Sequence, residues 1–339
     1  MNPLDRNQPL GVAFLGCGAV TRLHSRTLAS IRTPTRRFYA SRDPGRARAY
    51  DTQLQGSGWF NSYDAAMEDP GIQLVLVGTP PSSHLDLTLR SLEAGKHVIV
   101  EKPAFLRSED FEGVREAVGG SGRQVFVAEN YFYKPLGRRL REIVKSRCLG
   151  DIRFVHLNAM KEQQAGGWRG DPALAGGGAL FEGGIHWVSF LSNLGLEVVD
   201  LWGLKAGTGP EPERSVLVVA RFGQGAVGTL QYSWEIKAPL GGLRISRIFG
   251  TRGSLVFESN GLFLLRRRGT AVTGWLVPKI DIPGLRDLLG YRAMFEDFLG
   301  AIRAGSRPKY TLEMAEADIR RTETIYRTIT GSTKCPGNL

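Results

Sequence analysis

Through the first third of the chain, short apolar runs alternate with stretches of helical spacing. Residues 12–15, 37–40, 74–77 and 97–100 read as strands, and 125–127 completes the series. Most of these runs lack apolar–polar alternation, which suits strands covered on both faces, as in a parallel sheet wrapped by helices. Between them, 22–31 can continue as a helix, and 82–92 is helical and stops at Gly95. Ser108 offers an N-cap to a further helix whose first turn carries Glu109, Asp110 and Glu112, the sign of charge that a helix start favours.

Beyond residue 124 the pattern changes. Alternating apolar runs at 215–222, 227–234, 244–249 and 254–257 follow one another, separated by glycines, and predict an antiparallel sheet region. Phe295, Phe298, Leu299 and Ile302 then recur at helical spacing, and a second helix is expected over 312–326 after a turn at 305–308. The fold class read here is α/β, a doubly wound parallel sheet followed by an α+β region. The expected domains are 1–123 and 124–339, with the C-terminal helices as candidates for packing back on the first domain.

Length supports the division, because 339 residues exceed the size at which one core stops growing. No apolar run approaches the roughly 20 residues of a membrane span, so neither a membrane nor a lipid partner is expected. Residues 1–10 lack the basic-then-apolar order of a secretory leader, and the expected location is cytoplasmic. Cys17, Cys148 and Cys335 are widely spaced and without His neighbours at ligand spacing, so neither a disulfide framework nor a metal site is expected. The charge of +11 attracts anions, yet the arginines fall in short scattered clusters without interleaved aromatics. That argues against nucleic acid and leaves an attraction for phosphates.

Directly after the first strand comes Gly16-Cys17-Gly18-Ala19-Val20-Thr21, then a helix. Glycines between a strand and a helix let backbone N–H groups and the helix dipole approach a pyrophosphate, so Gly16, Gly18, Ala19 and Val20 are candidate cofactor contacts. Thr21 stands where a third glycine would serve close packing. An NAD site calls for a carboxylate about 20 residues further on, at the end of the second strand. That end reads Ala40-Ser41-Arg42-Asp43. The Ser41 hydroxyl and the Arg42 guanidinium suit a 2′-phosphate, which a carboxylate would repel. NADP(H) is therefore the favoured cofactor. NAD(H) is the alternative, with Asp43 turned inward, and Arg46 is either a helper to the phosphate or a solvated helix residue.

The strand at 97–100 runs into Glu101-Lys102-Pro103, placing a lysine at the carboxyl end of a parallel strand, where ligands bind in open α/β sheets. In the glycine-dense stretch, Glu182 and His186 are four residues apart, on one face if the segment is helical. Gly183 and Gly184 each cost about 1 kcal/mol inside a helix, which suggests close backbone approach to something bulky. Together with Thr79-Pro80 and the following His84, these motifs resemble the Gfo/Idh/MocA oxidoreductases in order and spacing over nearly the whole chain. The resemblance implies an N-terminal Rossmann domain, a C-terminal α+β domain with a large open, mainly antiparallel sheet used for homodimer or homotetramer formation, and a substrate cleft between them. It also implies catalytic roles for Lys102, Glu182 and His186, with Glu182 departing from the aspartate of the family pattern.

The chemistry expected is hydride transfer at a hydroxyl or carbonyl carbon of a sugar, cyclitol or sugar-nucleotide substrate. His186 handles the proton, as the side-chain type whose ordinary pKa is nearest neutrality, while Lys102 steadies alkoxide charge. Thr79, Pro80, His84, Glu101 and Lys102 are further candidate cofactor contacts, His84 chiefly as an orienter. Asn130, Tyr131, Trp168 and Arg169 are candidate substrate contacts alongside Glu182 and His186, with loop packing as the plain alternative for Trp168 and Arg169. His24 and His97 read as structural, and His156 lies in a strand pattern. Competing readings are an imine or other C=N or C=C reductase, a redox-neutral lyase or glycosidase using bound NAD(P), and a non-catalytic NADP-binding regulator. Lys102 and His186 argue against the last.

Overall fold

The computed structural model describes residues 8–164, 166–208, 212–238, 242–268, 279–284 and 286–331. Cys335 and most of the N-terminal segment lie outside them. The chain divides into two compact units, Met1–Glu129 with Tyr291–Ala317, and Asn130–Gly290 with Asp318–Leu339.

The first unit is a six-stranded sheet of β1 (Leu10–Leu15), β2 (Thr35–Ala40), β3 (Gly58–Phe60), β4 (Leu74–Val77), β5 (His97–Val100) and β6 (Val125–Val127). The order is β3-β2-β1-β4-β5-β6, with every pair parallel. Strands β1, β4 and β5 are buried at every position, the environment for which their unbroken apolar runs are suited. Helices α1 (Ala19–Ser30), α2 (Pro44–Leu54), α3 (Tyr63–Glu68), α4 (His84–Glu93) and α5 (Asp110–Ser121) make the crossovers. Helix α5 starts at Asp110 after Glu109, one turn position later than a cap at Ser108 would place it. The strand order reverses between β1 and β4, which makes the crevice beyond their carboxyl ends the place where a ligand binds.

Because β6 is hydrogen-bonded to β5, the first unit runs past residue 123 to Glu129. The helix Tyr291–Ala304 also belongs to it: Phe295 and Phe298 are fully buried, the Phe298 ring lies 4.9 Å from that of Phe126, and Phe295 meets His24 of α1 edge-on.

The second unit is an eight-stranded sheet of β7 (Ile152–Met160), β8 (Val198–Lys205), β9 (Ser215–Phe222), β10 (Val227–Ser233), β11 (Ile245–Gly250), β12 (Gly253–Glu258), β13 (Leu264–Arg268) and β14 (Lys279–Asp281). Its order is β14-β13-β12-β11-β7-β10-β9-β8, antiparallel except where β10 runs parallel to β7. One face packs Leu157, Val218, Leu230 and Ile248 beneath helices that contribute Leu140, Trp187 and Phe190. On the other face Phe249, Phe154 and Val227 stand opposite one another across three neighbouring strands and are 40%, 60% and 41% exposed. Among the described residues, no helix is long and apolar enough to cross a membrane.

Candidate active site

The turn after β1 requires its glycines for two different reasons. Gly16 has a φ of 101°, and a Cβ there would lie 2.9 Å from Gly78 O. A Cβ on Gly18 would meet nothing within 4 Å. Gly18 also precedes α1 without a side-chain cap, so no side chain takes up the first N–H groups of that helix, a cradle that fits a pyrophosphate. Thr21 is fully buried and donates to Gly16 O at 2.6 Å. Its room comes from Gly78, where an added Cβ would be 3.2 Å from Thr21 Oγ1, so the glycine needed for close helix–strand packing is on the strand side here. Between the two glycines, burial pushes the Cys17 thiol up to about 11, which leaves it protonated and unreactive at neutral pH.

At the end of β2, Ser41 is buried and its Oγ accepts the Asp43 N–H at 3.2 Å. The Asp43 carboxylate turns to its own helix, accepting from Gly45 N at 2.9 Å and Arg46 N at 3.3 Å as the N-cap of α2. Arg42 and Arg46 are exposed. The carboxylate is therefore committed to capping, while the guanidiniums remain solvated.

Glu101 and His84 hold the two strand ends that carry Lys102 and Thr79. Glu101, 8% exposed, pairs with His24 Nε2 of α1 and accepts the Lys102 N–H at 3.0 Å. His84 is buried, with Nε2 2.9 Å from Thr79 O and Nδ1 2.9 Å from Pro103 O. Burial lowers its pKa, against the carbonyl oxygens that act to raise it. Ser83 Oγ lies 2.7 Å from Thr79 Oγ1, next to Pro80. Both histidines thus serve local architecture around Lys102, which is half-buried.

In the second unit, the glycine-dense stretch becomes a π-helical turn, Leu180–Gly184, running into the α-helix Ile185–Ser192. The bulky neighbour that Gly183 and Gly184 admit is Tyr232 of β10. A Cβ on Gly183 would be 2.3 Å from its hydroxyl, and one on Gly184 would be 3.1 Å from its ring. Glu182 is 4% exposed, and its Oε1 accepts from Arg169 Nε at 3.0 Å. The Arg169 guanidinium carbon lies 4.6 Å from the Trp168 ring centroid, so Trp168, Arg169 and Glu182 form one stacked and paired series.

The His186 ring stacks flat on Tyr131, with centroids 4.5 Å apart and planes 9° from parallel. Lys134, 1% exposed, brings its ammonium to 4.1 Å from the same Tyr131 centroid. The Asn130 amide donates to Leu289 O at 2.7 Å, while its Oδ1 is buried with no protein partner.

Several contributors escaped the sequence reading. Buried Glu213 accepts Leu180 N at 2.9 Å and the Tyr326 hydroxyl at 2.7 Å, and Tyr326 Oη in turn accepts from Gly178 N and Phe181 N. This network fixes the start of the segment that carries Glu182 and His186. Glu213 and Tyr326 are remote from it in sequence, and the only local trace was Gly178, whose added Cβ would be 2.0 Å from Glu213 Oε2.

Residues 10–129 match the family described as "Oxidoreductase family, NAD-binding Rossmann fold", and residues 138–256 match the GFO/IDH/MocA C-terminal domain. The chain belongs to the Gfo/Idh/MocA oxidoreductase family. It is accordingly an NAD(P)-binding oxidoreductase of a family that includes sugar and cyclitol dehydrogenases. It is 24% identical over 289 residues to levoglucosan dehydrogenase of Pseudarthrobacter phenanthrenivorans, covering 74% of each chain. To scyllo-inositol 2-dehydrogenase (NAD(+)) of Bacillus subtilis it is 33% identical over 112 residues, 32% of each chain. A solved levoglucosan dehydrogenase in complex with NADH and levoglucosan superposes with a TM-score of 0.82 at 23% identity, covering 96% of this chain and 98% of that one. GenD2 from gentamicin A biosynthesis, in complex with NAD, gives 0.82 at 22% identity and 98% coverage of both.

Proposed function

We propose that this protein is an NADP(H)-dependent dehydrogenase or reductase acting at a hydroxyl or carbonyl carbon of a sugar-like substrate. The observation that carries the reading is His186, half-buried and stacked on Tyr131, on the segment whose Glu182 is held by Arg169. An aromatic-lined polar site of this kind suits the apolar faces and hydroxyls of a sugar.

The residues present fit the dinucleotide. The open space at Gly18 and the uncapped N–H groups of α1 accommodate a pyrophosphate, and Ser41 and Arg42 suit a 2′-phosphate in the absence of a competing inward carboxylate at Asp43. When bound, the nicotinamide supplies or accepts hydride. Lys102 donates to the substrate oxygen and stabilises alkoxide charge as it develops. His186 takes the proton from that oxygen in oxidation and returns it in reduction. Glu182, already ion-paired, acts on the orientation of its neighbours and on substrate hydroxyls rather than as a free base.

The row Phe249, Phe154 and Val227 on the exposed sheet face supports a homo-oligomer, with a second copy covering it; light scattering of the purified chain reads the mass directly. The function is tested by following NADPH and NADH oxidation against ketoses, inosose and nucleotide-linked ketosugars, with Lys102→Ala beside the wild type. Turnover that disappears in Lys102→Ala while cofactor affinity is kept supports the assignment, and unchanged turnover removes Lys102 from the chemistry.

A further inference from the structure

The second unit holds a buried cation that the proposed chemistry does not use. Arg244 directly precedes β11 and is 8% exposed. It continues the inward-facing series of Ser246 and Ile248, both fully buried, on the sheet face that Tyr232 also occupies. Its guanidinium hydrogen-bonds to the neutral side chain of Asn260 and lies 5.7 Å from the Trp187 ring centroid.

Among the described residues, no carboxylate oxygen lies within ion-pair distance of that guanidinium. Glu182 is taken by Arg169. Glu258, fully buried, accepts from Asn260 N at 2.9 Å and Asn260 Nδ2 at 2.9 Å, and reaches only the backbone N–H of Arg244, at 3.5 Å. A buried guanidinium with one neutral acceptor and an aromatic face is only partly compensated, and a complementary anion would gain strongly there.

The surroundings tie this cation to the substrate side. Trp187, beneath Arg244, meets Tyr131 edge-on at 5.3 Å, and Tyr131 is the ring that stacks on His186. Burial chiefly raises the Tyr232 phenol, whose oxygen accepts from Trp234 Nε1 at 3.0 Å, and the charges of Glu182 and Arg244 act on it in opposite directions.

We propose that Arg244 recognises a carboxylate on the substrate, so that the substrate class is an acidic sugar such as a uronate rather than a neutral hexose or cyclitol. This rests on the sugar oxidoreductase reading above and narrows it. A single planar fork of donors matches a monoanionic carboxylate in both shape and charge, whereas a phosphate dianion calls for a second countercharge.

Titration calorimetry on enzyme saturated with NADP+ tests it, with D-glucuronate, D-glucose and D-glucose 6-phosphate, for the wild type, Arg244→Met and Arg244→Lys. The expected result is glucuronate binding at least about tenfold tighter than glucose, an advantage reduced in Arg244→Lys and abolished in Arg244→Met. Circular dichroism checks the fold of each variant, and should Arg244→Met not fold, the wild-type preference and its reduction in Arg244→Lys decide. Equal wild-type affinities, tighter binding of the phosphate ester, no binding of glucuronate, or equal losses for both sugars in the variants would each overturn the proposal. Turnover separates the two readings. Neutral sugars oxidised without carboxylate preference leave the oxidoreductase and remove the carboxylate site, while Arg244-dependent glucuronate binding without hydride transfer does the reverse.

Discussion

Arg169 Nε donates to Glu182 Oε1 at 3.0 Å, joining a half-exposed guanidinium to a carboxylate that is 4% exposed. The carboxylate is the member that solvent cannot reach, so the pair is asymmetric. Removing Arg169 leaves a buried charge with less compensation, whereas the arginine alone would remain hydrated. Arg169→Met should lower stability by about 1 to 2 kcal/mol, discounted from a fully buried pair because Arg169 is partly exposed. It should also lower kcat/KM through the displaced Glu182. Thermal denaturation and steady-state kinetics read the two effects separately.

The two glycines of the nucleotide turn should respond in opposite ways. Gly18→Ala adds a Cβ where the protein has nothing within 4 Å, at a φ of −108° that any residue adopts. Its Tm should be unchanged, while NADPH binding weakens about tenfold or more, because the added methyl occupies the place of the pyrophosphate. Gly16→Ala meets Gly78 O at 2.9 Å and a φ of 101°, and should lose about 1 to 3 kcal/mol of stability. Equal cofactor affinity in Gly18→Ala and wild type would sink the assignment of this turn.

Which parts of this were readable beforehand follows from how far each constraint reaches along the chain. Gly16, Gly18 and Lys102 act through their own backbone turn or strand end, and their spacing carries the signal. Strands β1, β4 and β5 are buried on both faces and announce themselves as apolar runs. Strand β3 has three half-buried or exposed residues at the sheet edge and leaves no such run. Strand β7 alternates His156 and Asn158 with buried apolar residues, and its parallel pairing with β10 joins positions 73 apart, such as His156 and Thr229, which are also hydrogen-bonded at 2.8 Å. Glu213, Tyr326 and Arg244 owe their placement to contacts between residues distant in sequence, which no local pattern encodes.

Cofactor choice should turn on Arg42. With Asp43 capping α2 through Gly45 N and Arg46 N, the end of β2 presents a hydroxyl and guanidiniums instead of a carboxylate. Arg42→Ala should reduce kcat/KM for NADPH about 10- to 100-fold, the worth of one or two charge-assisted hydrogen bonds, and change the NADH value by less than about threefold. Equal losses with both cofactors would show that Arg42 does not read the 2′ position.

Acid sensitivity of the first unit should centre on His97. Its Nδ1 accepts the Gln124 N–H at 3.2 Å, and burial, with Arg123 nearby, pushes its pKa down to about 4. Below about 6.5 the unfolded chain protonates this histidine while the folded one does not, so unfolding takes up a proton. The stability contribution is present above the unfolded value and is lost as pH falls from about 6.5 toward about 4, by up to about 3 kcal/mol. Buried His84, also lowered, adds to the loss in the same direction. Denaturant midpoints from pH 7 to 4 should fall in the wild type and fall less in His97→Gln.

The Tyr326 hydroxyl is the hub of the turn that presents Glu182 and His186. It donates to Glu213 Oε1 at 2.7 Å and accepts from Gly178 N at 3.2 Å and Phe181 N at 3.1 Å. Burial and the Glu213 charge both raise its pKa, so it remains a proton donor throughout the working range. Tyr326→Phe keeps the ring but leaves two N–H groups and part of a buried carboxylate without partners, a cost of about 2 to 4 kcal/mol. Glu213→Gln should cost less, since an amide oxygen can still accept from Leu180 N and from the Tyr326 hydroxyl. Because the π-helical turn starts from these bonds, kcat should fall in Tyr326→Phe at temperatures where the protein is still folded. A variant as destabilised as expected but with wild-type kcat would show that the network supports the fold without setting the geometry of Glu182 and His186.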